Sequence, residues 1–216
     1  MAEQKKTGGG LKLADQATLS LLVALEEKEQ ISQRSLAVRL GVALGLTNSL
    51  LKRAVRKGFL KVSEAPAKRY AYYVTPKGFR EKGSLVAEYL TSSLSFFRLA
   101  RGQYVDIYQK IIACGHERVV LYGNDELGEI AYLSAQEVGL ELCGIIHPGS
   151  NQSTLSGLSV YSSTERALAD NIDAVVIASS DNPQAAYDHL CEHISAEKVF
   201  SAPFLHISRT ANRKAT

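Results

Sequence analysis

The sequence predicts an α/β protein of two domains, and three observations support this. Its 216 residues are enough for two small domains, and its apolar content of 45% is ordinary for a globular protein. The first half shows helices followed by a hairpin, whereas short β-branched strands alternate with helices from residue 118 onward. Residues 1–115 hold 19 Lys and Arg against 9 Asp and Glu, a net charge of +10, whereas residues 116–216 carry −7. A basic half joined to an acidic half indicates two domains with different partners. The partner expected for the basic first domain is a polyanion.

Composition excludes several classes of protein. No apolar run approaches the roughly 18 residues of a membrane helix, so we expect no membrane partner. Residues 1–13 lack the apolar core of a secretory signal and are interpreted as a flexible leader. The three cysteines are widely spaced and the five histidines are scattered, so the sequence favours a cytoplasmic protein and predicts no metal site.

The stretch ISQRSLAVRLGVALGLTNSLLKRAVRKGFLKV predicts two short helices joined by a tight turn. A first helix over 15–29, with Asp15 as its cap, precedes them. Ser32 can cap the next helix, Gly41 can end it, and a further helix is predicted over 44–57. This order of elements is typical of a helix-turn-helix.

The helix over 44–57 separates apolar from polar residues. The residues predicted to face inward are Leu44, Thr47, Leu51, Ala54 and Val55. The residues predicted to face double-stranded DNA are Gly45, Asn48, Ser49, Lys52, Arg53 and Arg56. Asn can read adenine edges, and Arg or Lys can reach guanine or phosphate, so this is the expected recognition helix. The alternative is an ordinary solvated helix face.

The next segment, FLKVSEAPAKRYAYYVTPKG, alternates like two strands around a tip that carries Lys68 and Arg69. A basic hairpin in this position is typical of a wing that lies against phosphate or in the minor groove. Residues 14–75 are therefore predicted to form a winged helix-turn-helix domain that binds DNA.

These stretches, together with KRYAYYVTPKGFREKG, make residues 16–110 resemble the MarR-like winged-helix regulators of exopolysaccharide gene clusters. The run YxxTPKG, from Tyr72 to Gly78, is the most specific part. The resemblance implies a transcription regulator of polysaccharide biosynthesis genes. Ala43 departs from the pattern, because a capping Ser is expected before the recognition helix.

Residues 76–115 are predicted to form a long linking helix, opened by Thr75 as cap and Pro76 at the first position. Gly83 and Gly102 leave its continuity open. Along this helix, apolar residues recur at alternating spacings of four and three residues and form a seam that is interrupted only by Arg101. The seam consists of Ala87, Leu90, Leu94, Phe97, Arg101, Tyr104, Tyr108 and Ile111. We expect a homodimer through this seam, since such regulators bind paired half-sites. The alternative is that the seam packs on the chain's own second domain.

Residues 116–216 are predicted to form a Rossmann-like parallel sheet covered by helices. The predicted strands are 119–122, 140–147, 159–161, 174–179 and 199–202. The predicted helices are 126–138, 164–169 and 183–194.

The turn after the first of these strands carries an incomplete dinucleotide fingerprint. Gly123 and Gly128 match its first and third glycines, but Asp125 stands in the middle place. His147 stands where an acid would bind the ribose, so NAD is not expected as a cofactor. Asp125 can cap the following helix or meet a hydroxyl-rich part of a ligand. The candidate ligand residues are Gly123, Asn124, Asp125, Gly128, His147, Ser179, Ser180 and Asn182.

The order GNDELG, GIIHPG, LSGLSVYSSTERALADNIDAVVIASSDNP makes residues 118–195 resemble the small Rossmann modules of sugar-modifying and polysaccharide-assembly enzymes. The resemblance implies a nucleotide or nucleotide-sugar effector. A sheet kept only for dimer contacts is the alternative. No histidine is placed to activate a serine, and the sequence does not predict an enzyme. A nucleotide-sugar or NAD-dependent enzyme, or a redox sensor, with an attached DNA-binding domain is the rival hypothesis.

Overall fold

The structure, a computed structural model, describes residues 12–27, 31–65, 69–149, 154–155 and 157–209. The chain divides into two compact units, Met1–Phe96 and Phe97–Thr216. Nearly all of the predicted leader lies outside the described residues. Within the described residues, no helix is long and apolar enough to cross a bilayer.

Three helices begin the first unit: α1 (Leu13–Glu27), α2 (Gln33–Leu40) and α3 (Leu44–Arg56). The cap predicted for α1 is wrong, because Asp15 lies inside its first turn. For α2 both predicted ends are confirmed. The hydroxyl of Ser32 accepts a hydrogen bond from the Ser35 N–H at 3.1 Å, and Gly41 ends the helix with a φ of 64°.

A hairpin completes the winged fold. Strands β1 (Leu60–Ala65) and β2 (Arg69–Val74) are antiparallel, and Leu60 lies opposite Val74. Its apolar side packs on the three helices in one core, whose buried members include Leu21, Leu22, Leu25, Leu36, Leu50, Leu51, Phe59, Leu60 and Tyr72. The hairpin therefore holds α3 against α1 and α2.

The predicted inner face of α3 needs a correction. Leu44 is 42% exposed and Val55 37% exposed, whereas Leu50, which the prediction left out, is buried. The buried stripe consists of Thr47, Leu50, Leu51 and Ala54. A core-facing stripe covers only part of the circumference of a helix. Leu44 is the first residue of the helix, and Val55 is rotated by about 100° from Ala54.

The next helix, α4 (Pro76–Ala113), is unbroken over 38 residues, including Gly83 and Gly102. Thr75 caps it as predicted, since its hydroxyl oxygen accepts from the Gly78 N–H at 3.1 Å. A Cβ at Gly78 would lie 2.2 Å from the carbonyl oxygen of Phe59. The glycine of the YxxTPKG motif is thus required for the start of α4 to pack against the base of the hairpin.

The seam predicted along α4 does not act as one surface. Tyr104, Tyr108 and Ile111 are fully buried in the core of the second unit. Their assignment to a dimer interface is wrong, because they pack on the chain's own sheet, which was the stated alternative. Arg101, which interrupts the seam, forms an ion pair with Glu137.

The second unit contains a six-stranded sheet in the order β5-β6-β4-β3-β7-β8. Its strands are β3 (Val119–Tyr122), β4 (Leu142–Ile146), β5 (Thr154–Leu155), β6 (Leu158–Tyr161), β7 (Ala174–Ile177) and β8 (Val199–Ser201). All except β5 are parallel to their neighbours. The five parallel strands, numbered along the chain, have the order 3-2-1-4-5 of a Rossmann sheet.

Helices cover both faces of this sheet. They are α5 (Glu126–Glu137), α6 (Thr164–Ala169) and α7 (Pro183–His193). Helix α5 and the C-terminal part of α4 pack on one face of the sheet, and α6 and α7 pack on the other. The adjacent parallel strands β3 and β7 are therefore covered on both sides, and their carboxyl ends lie at the same edge of the unit.

Candidate functional site

The open face of α3 carries most of the predicted DNA-contacting residues. Gly45, Ser49, Lys52 and Arg56 are exposed, and Arg53 is half-buried. No acidic residue occurs in α3, so the field of its cations is not offset within the helix. A positive helix face of this kind attracts the phosphate backbone of DNA.

Asn48 differs from the expectation, because it lies at the border between the buried and open faces of α3. Its side chain is half-buried, and its Oδ1 atom is buried with no hydrogen-bond partner among the described residues. An unpaired buried acceptor is costly. Asn48 therefore has hydrogen-bonding capacity that the described residues of the first unit do not use.

Exposed apolar residues also lie at the start of α3, and the sequence pattern did not predict them as part of the DNA-binding surface. Leu46 is 51% exposed near the start of α3, and Leu44, two residues before it, is also exposed. Apolar side chains can contact the methyl group of thymine in the major groove. The exposure of Leu46 was predictable from the sequence, because Leu46 lies outside the set of α3 residues that the pattern places on the inner face.

The hairpin presents exposed side chains of Lys61, Tyr70 and Tyr73. Lys68 and the side chain of Arg69, which were predicted to contact DNA, lie outside the described part of the hairpin.

A second candidate site lies at the carboxyl edge of the sheet in the second unit. Gly123 follows β3 with a φ of 110°, and a Cβ there would lie 2.6 Å from the Cβ of Ser179. A Cβ on Gly128 would lie 3.1 Å from the carbonyl oxygen of Gly123. Both fingerprint glycines are therefore explained by close packing between the turn, α5 and the end of β7.

Asp125 binds two segments of the chain together. Its Oδ1 atom caps α5 by accepting from the N–H groups of Leu127 at 2.9 Å and Gly128 at 3.4 Å. Its Oδ2 atom accepts from the Ser180 N–H at 2.6 Å, the Ser180 hydroxyl at 2.9 Å and the Ser179 hydroxyl at 3.1 Å. The predicted helix cap is confirmed, and the carboxylate occupies the helix N-terminus where a dinucleotide phosphate would be bound.

These hydrogen bonds also set the ionisation of the site. Partial burial acts to raise the pKa of Asp125, but hydrogen bonds from Ser180, Leu127 and Ser179 outweigh it and lower the pKa below its usual value. Beneath the site, the hydroxyl of Tyr104 donates to the carbonyl oxygen of Ile177 at 3.2 Å. Burial, and then the negative charge of Asp125, raise the pKa of Tyr104, so its hydroxyl remains a donor.

The remaining predicted ligand residues do not form one cluster with Asp125. Asn182 caps α7 by accepting from the Ala185 N–H at 3.4 Å. His147 is positioned by its backbone N–H, which donates to the carbonyl oxygen of Tyr161 at 3.0 Å. The side chains of Asn124 and His147 are half-buried and form no hydrogen bond with other described residues.

Comparison with known proteins supports the assignment of the first unit. Residues 15–61 match the family of winged helix-turn-helix DNA-binding domains. The first unit contains a winged helix-turn-helix domain. No curated protein matches the chain significantly.

Several solved structures are similar to parts of the chain. The PcaV transcriptional regulator from Streptomyces coelicolor is 18% identical, with a TM-score of 0.37, over 46% of this chain and 77% of that one. A MarR-family transcriptional regulator from Rhodococcus sp. RHA1 is 20% identical, with a TM-score of 0.35, over 40% of this chain and 61% of that one. MepR of S. aureus in complex with DNA is 16% identical, with a TM-score of 0.34, over 40% and 62%. These TM-scores lie below 0.5, and the fold assignment rests on the geometry and the family match.

Proposed function

We propose that this protein is a transcription regulator of the MarR-like type that binds operator DNA through α3. The observation that carries the proposal is the acid-free open face of α3, with Lys52, Arg53 and Arg56, on a winged helix-turn-helix domain. In the described part of the hairpin, Lys61 adds an exposed cation. Together with Lys68 and Arg69, which the sequence predicts to contact DNA, it is proposed to bind the phosphate backbone of the DNA. Because a regulator must have access to its operator DNA, the proposal includes a cytoplasmic location. It includes no enzymatic activity.

Binding to DNA is tested without knowing the operator. Purified protein selects fragments of genomic DNA, and affinity for a selected fragment is then measured by fluorescence anisotropy over a range of salt concentrations. Lys52→Ala and Arg56→Ala each weaken binding, and a lost phosphate contact lowers the salt slope by about one. Lys110→Ala, which removes an exposed cation from the far end of α4, is the matched control.

Two outcomes contradict the proposal. In one, the unaltered protein selects no fragment and shows no salt-dependent binding. In the other, both α3 variants behave like Lys110→Ala. The wing is tested separately by Lys68→Ala with Arg69→Ala, which lowers affinity for all DNA sequences alike.

The proposed targets are polysaccharide biosynthesis genes. Support comes from the resemblance of residues 16–110 to regulators of exopolysaccharide clusters and of residues 118–195 to modules of polysaccharide-assembly enzymes. The selected genomic fragments decide this point directly. Fragments from genes of another class would reject the target while leaving the DNA-binding proposal intact.

The proposal includes a homodimer formed through the middle of α4. Large apolar side chains are exposed along this part of the helix: Val86, Tyr89, Leu90, Leu94, Phe96, Phe97 and Leu99. Leu90 and Leu94 are 53% and 52% exposed, which is unusual for consecutive turns of a water-facing helix. A second copy of the same helix would cover them, and paired half-sites call for two copies.

A small-molecule effector at the carboxyl edge of the sheet is the second proposed function. The half-buried side chains of Asn124 and His147 supply polar groups there that pair with no other described residue. The Asp125 carboxylate holds the α5 N-terminus and repels phosphate, so it favours a hydroxyl-rich ligand such as the sugar part of a nucleotide sugar.

Thermal shift with nucleotide sugars, simple sugars and NAD tests the effector. A ligand at a hundred times its dissociation constant stabilises the folded chain by about 2.7 kcal/mol. Stabilisation by NAD alone would contradict the role given to Asp125. No response to any of these compounds would favour a sheet that serves only structure and dimer contacts.

A further inference from the structure

Two histidines and a glutamate lie together on the solvent side of α7. His189 and His193 are four residues apart, so they project from the same face of the helix, and their ring centroids are 5.0 Å apart. Glu192 comes directly before His193 in the sequence, and its Oε2 atom lies 3.9 Å from Nδ1 of His189. One donor atom from each of these three side chains lies within 4.8 Å of the other two.

The neighbouring helix α6 orients this group. The buried hydroxyl of Thr164 is 3.2 Å from Nε2 of His189. An Nε2–H that donates to this hydroxyl leaves the Nδ1 lone pair directed toward Glu192. The carboxylate of Glu165, also on α6, lies 3.5 Å from Nε2 of His193 and adds a second negative charge.

Distances and chemistry both suit a metal ion. Tetrahedral zinc with bonds of about 2.0–2.1 Å separates its ligand atoms by about 3.4 Å, close to the 3.9 Å found between His189 and Glu192. Side-chain exposures of 42% for His189 and 30% for His193 leave room for the small rotation required and for an ion to enter. Imidazole and carboxylate donors suit zinc and the neighbouring divalent metals.

We propose that His189, Glu192 and His193 form a binding site for a divalent transition metal ion, of which zinc is the test case. Thr164 positions His189, and water completes the coordination. Thr164 belongs to α6 and the three ligands belong to α7. A bound ion therefore stabilises the packing of these two helices against each other. The site uses none of the residues assigned to DNA or effector binding.

The test is a titration of the full, chelator-treated chain with zinc chloride by isothermal calorimetry. We expect one zinc ion per chain and a rise in Tm on binding. His189→Ala and His193→Ala each lower the affinity by tenfold or more. His206→Asn removes an exposed histidine elsewhere, at a φ of 50° that Asn tolerates, and binds zinc like the unaltered chain.

Thr164→Val tests the positioning role. Loss of a group that orients a ligating histidine lowers metal affinity by about 10–100-fold, whereas a purely structural loss would lower the Tm of the metal-free chain and leave the affinity unchanged. The proposal is overturned if the unaltered chain binds no zinc. It is also overturned if both His→Ala variants bind zinc as the unaltered chain does, which would place the ion elsewhere on the chain. No DNA is present in this titration, so its failure is separate from any failure of the DNA-binding proposal.

Discussion

At the scale of single residues, Asp125 determines how the glycine turn is used. The carboxylate accepts hydrogen bonds from α5 and from Ser180, 55 residues away, and these bonds lower its pKa in the folded state. Its contribution to stability is present above the unfolded pKa of about 3.9 and is lost as the pH falls through the lower folded pKa.

Asp125→Asn should therefore be less stable than the unaltered chain at pH 7. Asn can still cap α5, but its NH₂ group cannot accept from both donors of Ser180. Urea denaturation at pH 7 and pH 3 should show the difference in unfolding free energy shrinking at low pH. A difference that stays constant with pH would contradict the role given to the charge. Asp181→Asn, at an exposed neighbouring position, is the control.

Two buried tyrosines on α4 offer a contrast in hydrogen bonding. The Tyr104 hydroxyl donates to Ile177, whereas that of Tyr108 is buried without a partner among the described residues. Tyr104→Phe should cost about 1 kcal/mol of unfolding free energy, since it removes this buried hydrogen bond. Tyr108→Phe should cost nothing or stabilise the protein. Denaturant unfolding of the two variants compares them, and an equal loss in both would reject the difference.

At the scale of elements, the N-terminus of α3 lacks a side-chain cap. Ala43 has the extended backbone of an N-cap, with φ −62° and ψ 146°, but offers no side-chain acceptor. Ala43→Ser should stabilise the first unit by about 1 kcal/mol, because a hydroxyl oxygen there accepts from a free N–H in the first turn. Ala169→Ser, at the last residue of α6, has no such N–H to pair and should give no gain. An unchanged denaturation midpoint for Ala43→Ser would contradict this reasoning.

At the scale of the whole molecule, the proposed homodimer depends on the exposed part of α4. Leu94→Asp with Phe97→Asp should convert a dimer into a monomer, because burying two carboxylates in an apolar interface costs several kcal/mol. Sedimentation velocity measures this. Leu133→Asp, which changes an equally exposed leucine on α5, should leave the dimer intact. A dimer that survives the double change would place the interface elsewhere.

The sequence by itself determined the features that depend on local interactions. The cap at Ser32, the left-handed Gly41, the proline start of α4 and the buried strands were predictable because hydrogen bonds and side-chain periodicity act within a few residues. The helix cap by Asp125 belongs here too, since its partners at Leu127 and Gly128 are two and three residues away.

Only the tertiary structure decided which surfaces are covered and which distant groups meet. A 4-3 seam shows that α4 needs partners, but periodicity cannot say that Tyr104 packs on the chain's own sheet while Leu94 is left exposed. The partner of the second Asp125 oxygen, Ser180, and the approach of Thr164 to His189 both depend on how strands and helices separated in sequence are arranged. Such contacts result from long-range packing, which a linear pattern of residue types does not specify.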